Sequence, residues 1–369
     1  MMKIKKITLH LTEMKLVEPF ESSLERVENR ESIIVEAEDE QGIIGWGEGV
    51  AFSSPWYTEE TVKTSAHMLE DFLIPICLNT DYSHPNEVSA SFSSLKRNRM
   101  AKAALEMACW DLYGRQTGQS LSNLMGGTKR HIEAGIVIGL APLQEMLASI
   151  EGALASGYKR FKVKIKPGRD IELIREIRRA YPNLPLMADA NSAYSLEQAD
   201  LLKALDEFEL MMIEQPLAAD DIIDHAVLQR KIQTPICLDE SIESADDARK
   251  AINLGSCRII NIKPGRVGGL AETKKIHDIC QAQGIPVWCG GMLETGISRA
   301  HNIAAASLSN FSIPGDISSS SRYWHEDIIV PEVIVENGEI LVPEGPGIGF
   351  EVNRQLLKKY TKQIFTFSK

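Results

Sequence analysis

Few of the marks by which many protein classes declare themselves occur in this sequence. Its six cysteines include no Cys-x-x-Cys pair, and most stand inside apolar runs. That excludes a zinc ribbon or a disulfide framework and leaves buried thiols in a reducing compartment. No apolar run reaches the roughly 18 residues a membrane helix needs, and the N-terminal MMKIKKITLHLTEMKL has no unbroken apolar core of the kind a secretory signal carries. Basic charge is short too: the net charge is -11, which argues against nucleic acid and anionic membranes as partners. Nor is there a glycine-rich dinucleotide fingerprint between a strand and a helix. What remains is a cytoplasmic, globular chain, 44% hydrophobic and 25% charged, with enough apolar residues for an ample core.

Against those absences stands one strong regularity. Five short apolar runs end in an ionisable residue: FKVK at Lys164, LPLMAD at Asp189, LMMIE at Glu214, PICLD at Asp239 and RIINIK at Lys263. They recur about every 25 residues, the length of a strand-loop-helix-loop unit. Between them lie helix-like segments such as IELIREIRRA and SADDARKAINLG. Short β-rich runs alternating with helices mean βαβ units and a parallel sheet, and without a dinucleotide fingerprint they point to a closed (β/α) barrel. The C-terminal ends of barrel strands share one mouth, where catalysis sits. A strand buried on both faces should stay apolar, so five ionisable strand ends are out of place as fold maintenance. If Lys164 ends the second strand and Lys263 the sixth, the two lysines face each other across the mouth with three acids between them.

The chain, at 369 residues, exceeds the roughly 250 of a typical barrel, so a second domain is expected. Residues 3–12 and 32–39 alternate apolar and polar, and a turn is expected at Asp39–Gly42, which predicts an antiparallel sheet. LVEPFESSLERVENRE (16–31) shows no periodicity and reads as a long loop, with Phe20 placed to close over a ligand. Helices are expected over 59–74 and 98–115, where Met107 and Trp110 read as packing residues. AGIVIGL (134–140) fits the first barrel strand, IPVWCGG the seventh and FSIPGD the eighth. Gly290 and Gly291 precede a helix whose free N–H groups could hold a substrate carboxylate, with Met292 beside them; the competing reading is a tight turn with Glu294 on the helix dipole. A hairpin signal at Glu336-Asn337-Gly338 suggests a return to the first domain.

Three carboxylates from adjacent strands make an oxygen-rich pocket suited to a hard cation such as Mg²⁺. Without a cation they would repel, and their pKa values would rise. No His or Cys stands at the five positions, which disfavours zinc and copper. A lysine acting as a base needs its pKa lowered, which a divalent cation and a second lysine would do; Arg266, three residues past Lys263, adds to their charge. Lys162 shares a strand face with Lys164 and reads as supporting charge. A metal-bound substrate carboxylate, one lysine removing the α-proton and an enediolate carrying the extra charge make a coherent site. The opposed lysine could return a proton, or a β-leaving group could depart: 1,1-proton transfer or β-elimination.

The segments KVK, MADAN, IEQP, CLDES and NIKPGRVGG resemble the enolase superfamily and its muconate-lactonizing branch. PICLDESI, RIINIKPGRVGGL, IPVWCGGMLETG and IPGD resemble in particular the o-succinylbenzoate synthases and N-succinylamino acid racemases. The resemblance implies an α/β fold, a (β/α)7β barrel (128–321) with an N-terminal α+β capping domain (1–127, completed by 322–369). It implies Mg²⁺, with Mn²⁺ able to substitute, on Asp189, Glu214 and Asp239, and Lys164 with Lys263 as the acid/base pair. Asn191 and Lys162 match supporting positions; Phe20, Asn191, Gly291 and Met292 are the expected substrate contacts. A small carboxylate substrate, a lyase or isomerase activity, a place in menaquinone biosynthesis and a homo-oligomer are implied as well. Dipeptide epimerase and muconate cycloisomerase chemistry would use the same lysines. An acid-sugar dehydratase would place a His at the seventh strand, where VWCGGM has none. A barrel that only binds would not need to keep all five ionisable strand ends.

Overall fold

Alternation of apolar and polar residues drives the N-terminal segment into antiparallel strands β1 (Ile4–Glu21), β2 (Arg26–Asp39) and β3 (Ile44–Gly49). The structure is a computed structural model that describes residues 1–21 and 25–369. The turn after β2 is held by Asp39, whose Oδ1 accepts from Gln41 N at 2.9 Å and Ile43 N at 2.8 Å. Strand Thr361–Ser368 adds to the outer edge of β1, so the last residues of the chain complete the first sheet. Helix Arg99–Thr117 packs on this sheet, and Met107 and Trp110 are core residues. Gly45 and Gly47 let β3 lie directly on that helix: a Cβ on either would collide with the carbonyl oxygen of Ala108 or Ala104.

The stretch read as a loop is largely strand. β1 continues to Glu21 and β2 starts at Arg26, with the register slipping between Lys15 and Phe20. Periodicity fails there because the irregular register breaks strict alternation. Ser22, Ser23 and Leu24, which fall in the expected lid, lie outside the described residues. The hairpin is tied down by Val17 N donating to Tyr323 O at 2.9 Å.

The barrel strands follow in the expected order. They are β5 (Gly135–Ile138), β6 (Arg160–Lys164), β7 (Leu186–Asp189), β8 (Ile213–Glu214), β9 (Ile236–Leu238), β10 (Ile259–Ile262) and β11 (Val287–Cys289), after a short β4 (His131–Glu133). β5 to β11 form one parallel sheet in sequence order. The eighth position is not a regular strand. Gly315 bridges Ala134, its carbonyl accepts from Gly135 N at 2.7 Å, and Asp316 N donates to Cys289 O at 2.8 Å. The segment thus joins the two edges of the sheet, and Pro314 explains the missing ladder because it has no N–H to donate.

The Glu336-Asn337-Gly338 turn forms, with positive φ at Asn337 (52°) and Gly338 (76°). Its strand Glu339–Leu341 pairs with β4 beside the barrel, so the return to the first sheet comes later, through Thr361–Ser368. Among the described residues, no helix is long and apolar enough to cross a membrane.

Candidate active site

Strand register brings the polar ends together. Lys164 pairs with Asp189 across β6 and β7, and Asp189 with Glu214 across β7 and β8. Parallel strands in register place these three side chains in one row, because each ends its strand at the same level. Lys164 Nζ donates to Asp189 Oδ2 and to Asn191 Oδ1, both at 2.6 Å. Lys162 points to the same interior and sits among three acids: Asp189 Oδ2 at 2.9 Å, Glu214 Oε2 at 2.7 Å and Asp316 Oδ2 at 3.2 Å. Asp316 comes from the irregular eighth segment and also pairs with Arg160 at 2.5 Å. Trp288 lies under both cations, its ring 4.7 Å from Arg160 and 5.1 Å from Lys162.

On the other side, Lys263 Nζ donates to Asp239 Oδ2 and to Tyr57 Oη, each at 2.8 Å. The Tyr57 hydroxyl also lies 3.0 Å from Asp239 Oδ2 and from Arg266 Nη1. Arg266 Nη1 pairs with Asp239 Oδ1, and Nη2 donates to Asn261 O at 2.8 Å. Arg266 therefore acts on Lys263 through a shared carboxylate and a shared hydroxyl. Three strands lie between β6 and β10, and both lysines line one cavity.

Burial alone would push these ammonium groups down and the carboxyls up; their neighbours decide otherwise. Burial lowers Lys162, but Asp189, Asp316 and Glu214 outweigh it and hold its pKa well above the usual lysine range. Burial is likewise overridden at Lys263 by Asp239 and then Tyr57, which raise it. At Lys263, Asp239 thus counts for more than Arg266. Asp239 is held below the carboxylate range by Arg266 and Lys263, against its burial. Glu214 goes up to about 7, from burial and then the charge of Asp189. Glu240, beside Asp239, goes up to about 8 through burial and then Asp239 and Asp189.

The donor set suits a hard divalent cation in chemistry. Three buried carboxylates end or follow neighbouring strands, and Glu214 Oε2, though close to Lys162, has no aligned hydrogen bond. Their aim differs from expectation: among the described residues, no three His, Cys, Asp or Glu side chains gather round one point. Each carboxylate turns instead to a cation of the chain, Lys162 serving Asp189 and Glu214, and Arg266 with Lys263 serving Asp239. Buried like charges that cannot be left bare take the nearest ammonium or guanidinium.

An apolar wall faces this floor. Phe20 and Met292 line the cavity as expected, as do Gly291 and Asn191. The helix beginning at Gly296 does not present free N–H groups to it, however. Glu48 accepts from Thr295 N at 3.0 Å and Ser298 N at 3.1 Å, and Asp327 accepts from Gly296 N at 2.9 Å. Glu294 folds back onto Met292 N and receives Asn302 Nδ2 at 3.2 Å. The reading with free N–H groups therefore gives way: Glu48 and Asp327 cap this helix end from other elements, and the Thr295 hydroxyl accepts from Ile297 N at 3.3 Å. Tyr57, Phe52, Trp56 and Tyr323 also line the cavity, and no strand-end pattern marks them in the sequence. Asp316 and Glu240 carried a signal, the first at the end of the eighth segment and the second adjoining Asp239.

A parallel barrel whose mouth holds opposed lysines among buried acids, roofed by residues of an α+β sheet, defines a capped-barrel enzyme of the α/β class. The chain matches the family model "Mandelate racemase / muconate lactonizing enzyme, N-terminal domain" over residues 5–126. It matches "Enolase C-terminal domain-like" over residues 145–356. It belongs to the enolase superfamily. A curated relative, o-succinylbenzoate synthase of Geobacillus stearothermophilus, is 59% identical over 97% of this chain and 96% of its own length. N-succinylamino acid racemase of Thermus thermophilus is 44% identical over 98% of both. A crystal structure of an enolase superfamily member from Listeria innocua superposes with a TM-score of 0.97 at 42% identity, covering 100% of each chain.

Proposed function

We propose that this enzyme removes the proton α to a substrate carboxylate with Lys164 or Lys263, as an o-succinylbenzoate synthase, an N-succinylamino acid racemase, or both. The observation that carries the reading is the pair of buried lysines, Lys164 ending β6 and Lys263 following β10, each with its own carboxylate partner, lining one cavity. In dehydration one lysine serves first as base and then as acid, while the opposite lysine only has to stay cationic beside the enediolate. In racemisation both lysines exchange protons in turn. The names of the two relatives support both reactions. Phe20, Phe52, Trp56 and Tyr57 exclude water from the reacting centre and suit an apolar part of the substrate. Asp189, Glu214 and Asp239 are the residues that would hold Mg²⁺, or Mn²⁺ in its place, and the bound ion would supply positive charge against the substrate carboxylate. The division into residues 1–127 with 322–369 as cap, and 128–321 as barrel, is supported by the pairing of Thr361–Ser368 with β1.

The test follows α-proton exchange in D₂O with each enantiomer of an N-succinyl amino acid. Lys164→Ala and Lys263→Ala should each abolish racemisation while exchanging opposite enantiomers. Retention of the same enantiomer by both variants would overturn the two-sided placement of the bases. Asp239→Asn should fold normally and lose nearly all activity, and undiminished activity of the unmodified enzyme in EDTA would remove the metal from the proposal.

A further inference from the structure

Asn191 stands between two groups of opposite need. Its Oδ1 is 2.6 Å from Lys164 Nζ, and its Nδ2 is 3.0 Å from Glu240 Oε1. An ammonium offers only donors, and a carboxyl oxygen facing an amide N–H accepts. Only one of the two amide orientations satisfies both neighbours. The backbone holds the residue in place: Asn191 has φ 41°, and its N–H donates to Asp189 Oδ1 at 3.0 Å. Glu240 is only 7% exposed, and its Oε2 has no hydrogen-bond partner. Among the described residues no Lys, Arg or His forms an ion pair with it. Burying a carboxyl for one amide hydrogen bond is costly, so that bond is the place to look for a role.

We infer that Glu240 is a positioning residue: it fixes the amide of Asn191 so that the carbonyl oxygen, not the NH₂, faces Lys164. Lys164 then has two acceptors, Asp189 and Asn191, that aim its ammonium. Either protonation state of Glu240 leaves an oxygen able to accept from Asn191, so the relay depends on an acceptor and not on charge. Lys263 donates to Asp239 and Tyr57 and, among the described residues, makes no hydrogen bond to Asn191 or Glu240. The consequence is one-sided: losing the acceptor at position 240 disturbs the Lys164 side of the site alone.

This inference rests on the two-lysine reading, and the experiment separates the two. Glu240→Met keeps the shape but leaves only a weak thioether acceptor, and Glu240→Gln restores a carbonyl. Exchange of the enantiomer that Lys164→Ala fails to exchange should fall about 10-fold or more in Glu240→Met, the loss of a hydrogen bond to a charged group. Exchange on the Lys263 side should hold, which also reports that the variant is folded, and Glu240→Gln should recover most of the Lys164-side rate. Equal losses on both sides, no loss, or a Gln variant as impaired as Met would overturn the inference. Should the unmodified enzyme exchange neither enantiomer, the racemase activity falls and the synthase reading stands alone. The orientation is then still read by neutron diffraction from deuterated crystals: deuterons on the Asn191 atom facing Glu240 support it, and deuterons facing Lys164 refute it.

Discussion

Tyr57 illustrates how a single atom can tie the site together. Its hydroxyl meets Lys263, Asp239 and Arg266 within 3.0 Å, and its ring centre lies 4.5 Å from the Lys263 ammonium. Tyr57→Phe keeps the ring and the cation–π contact while removing the hydrogen bonds. A hydrogen bond to a charged group is worth about 1.5–3 kcal/mol, so under the proposed reaction kcat/KM should drop about 10- to 100-fold. Exchange on the Lys263 side should suffer more than on the Lys164 side. Unchanged kcat/KM for both enantiomers would mean that Asp239 alone aligns Lys263. Lys162 makes the complementary point. Its strand parity marks it as supporting charge, and it bridges Asp189, Glu214 and Asp316.

Elements meet here through very short contacts. β3 lies on the helix Arg99–Thr117 because Gly45 and Gly47 carry no side chain toward it. Gly47→Ala would drive a Cβ into the Ala104 carbonyl oxygen, and backbone cannot rotate aside as a side chain can. Overpacking of this kind costs about 1–3 kcal/mol, occasionally more, and urea unfolding should show it as a lower midpoint at the same slope. A midpoint equal to that of the unmodified protein would mean the helix shifts freely. The same helix offers Glu106 to the barrel, where its carboxyl accepts from Leu270 N and Ala271 N, each at 2.9 Å, at the start of helix Leu270–Ala282. Helix N-termini carry unpaired N–H groups, and here a neighbouring unit supplies the acceptor.

At the scale of the molecule, Glu48 and Glu106 dock the first sheet and its helix onto two barrel helices. Both carboxyls are pushed up to about 7, chiefly by burial. The folded protein then binds protons that the unfolded chain has released between about 4.5 and about 7. Each group contributes stability that is complete below about 4.5 and is lost as pH rises through about 7. Glu48→Gln with Glu106→Gln keeps an acceptor oxygen at each helix end and removes the titration. The stability of the double variant relative to the unmodified protein should therefore rise as pH goes from about 4.5 to about 7, read from urea midpoints. A constant difference across that window would show that the carboxyls do not titrate there.

Much of the barrel was legible because its code is local. A strand buried on both faces must be apolar, so Lys164, Asp189, Glu214, Asp239 and Lys263 stood out at fixed spacing and fell at the mouth as expected. The glycine pair before the helix at Gly296 misled for the opposite reason. Its N–H groups look free along the chain, but Glu48, far away in sequence, and Asp327 claim them. The hairpin around Phe20 and the seat of Tyr57 over Lys263 were equally out of reach. Sequence alone determined the strand order, the polarity of the mouth and the family, since each depends on residues a few positions apart and on the period of the unit. Tertiary structure decided which cation each acid faces, which amide atom meets Lys164 and what roofs the cavity. Those choices depend on distances between residues that only folding brings together, and at 3 Å in a buried site the nearest opposite charge prevails.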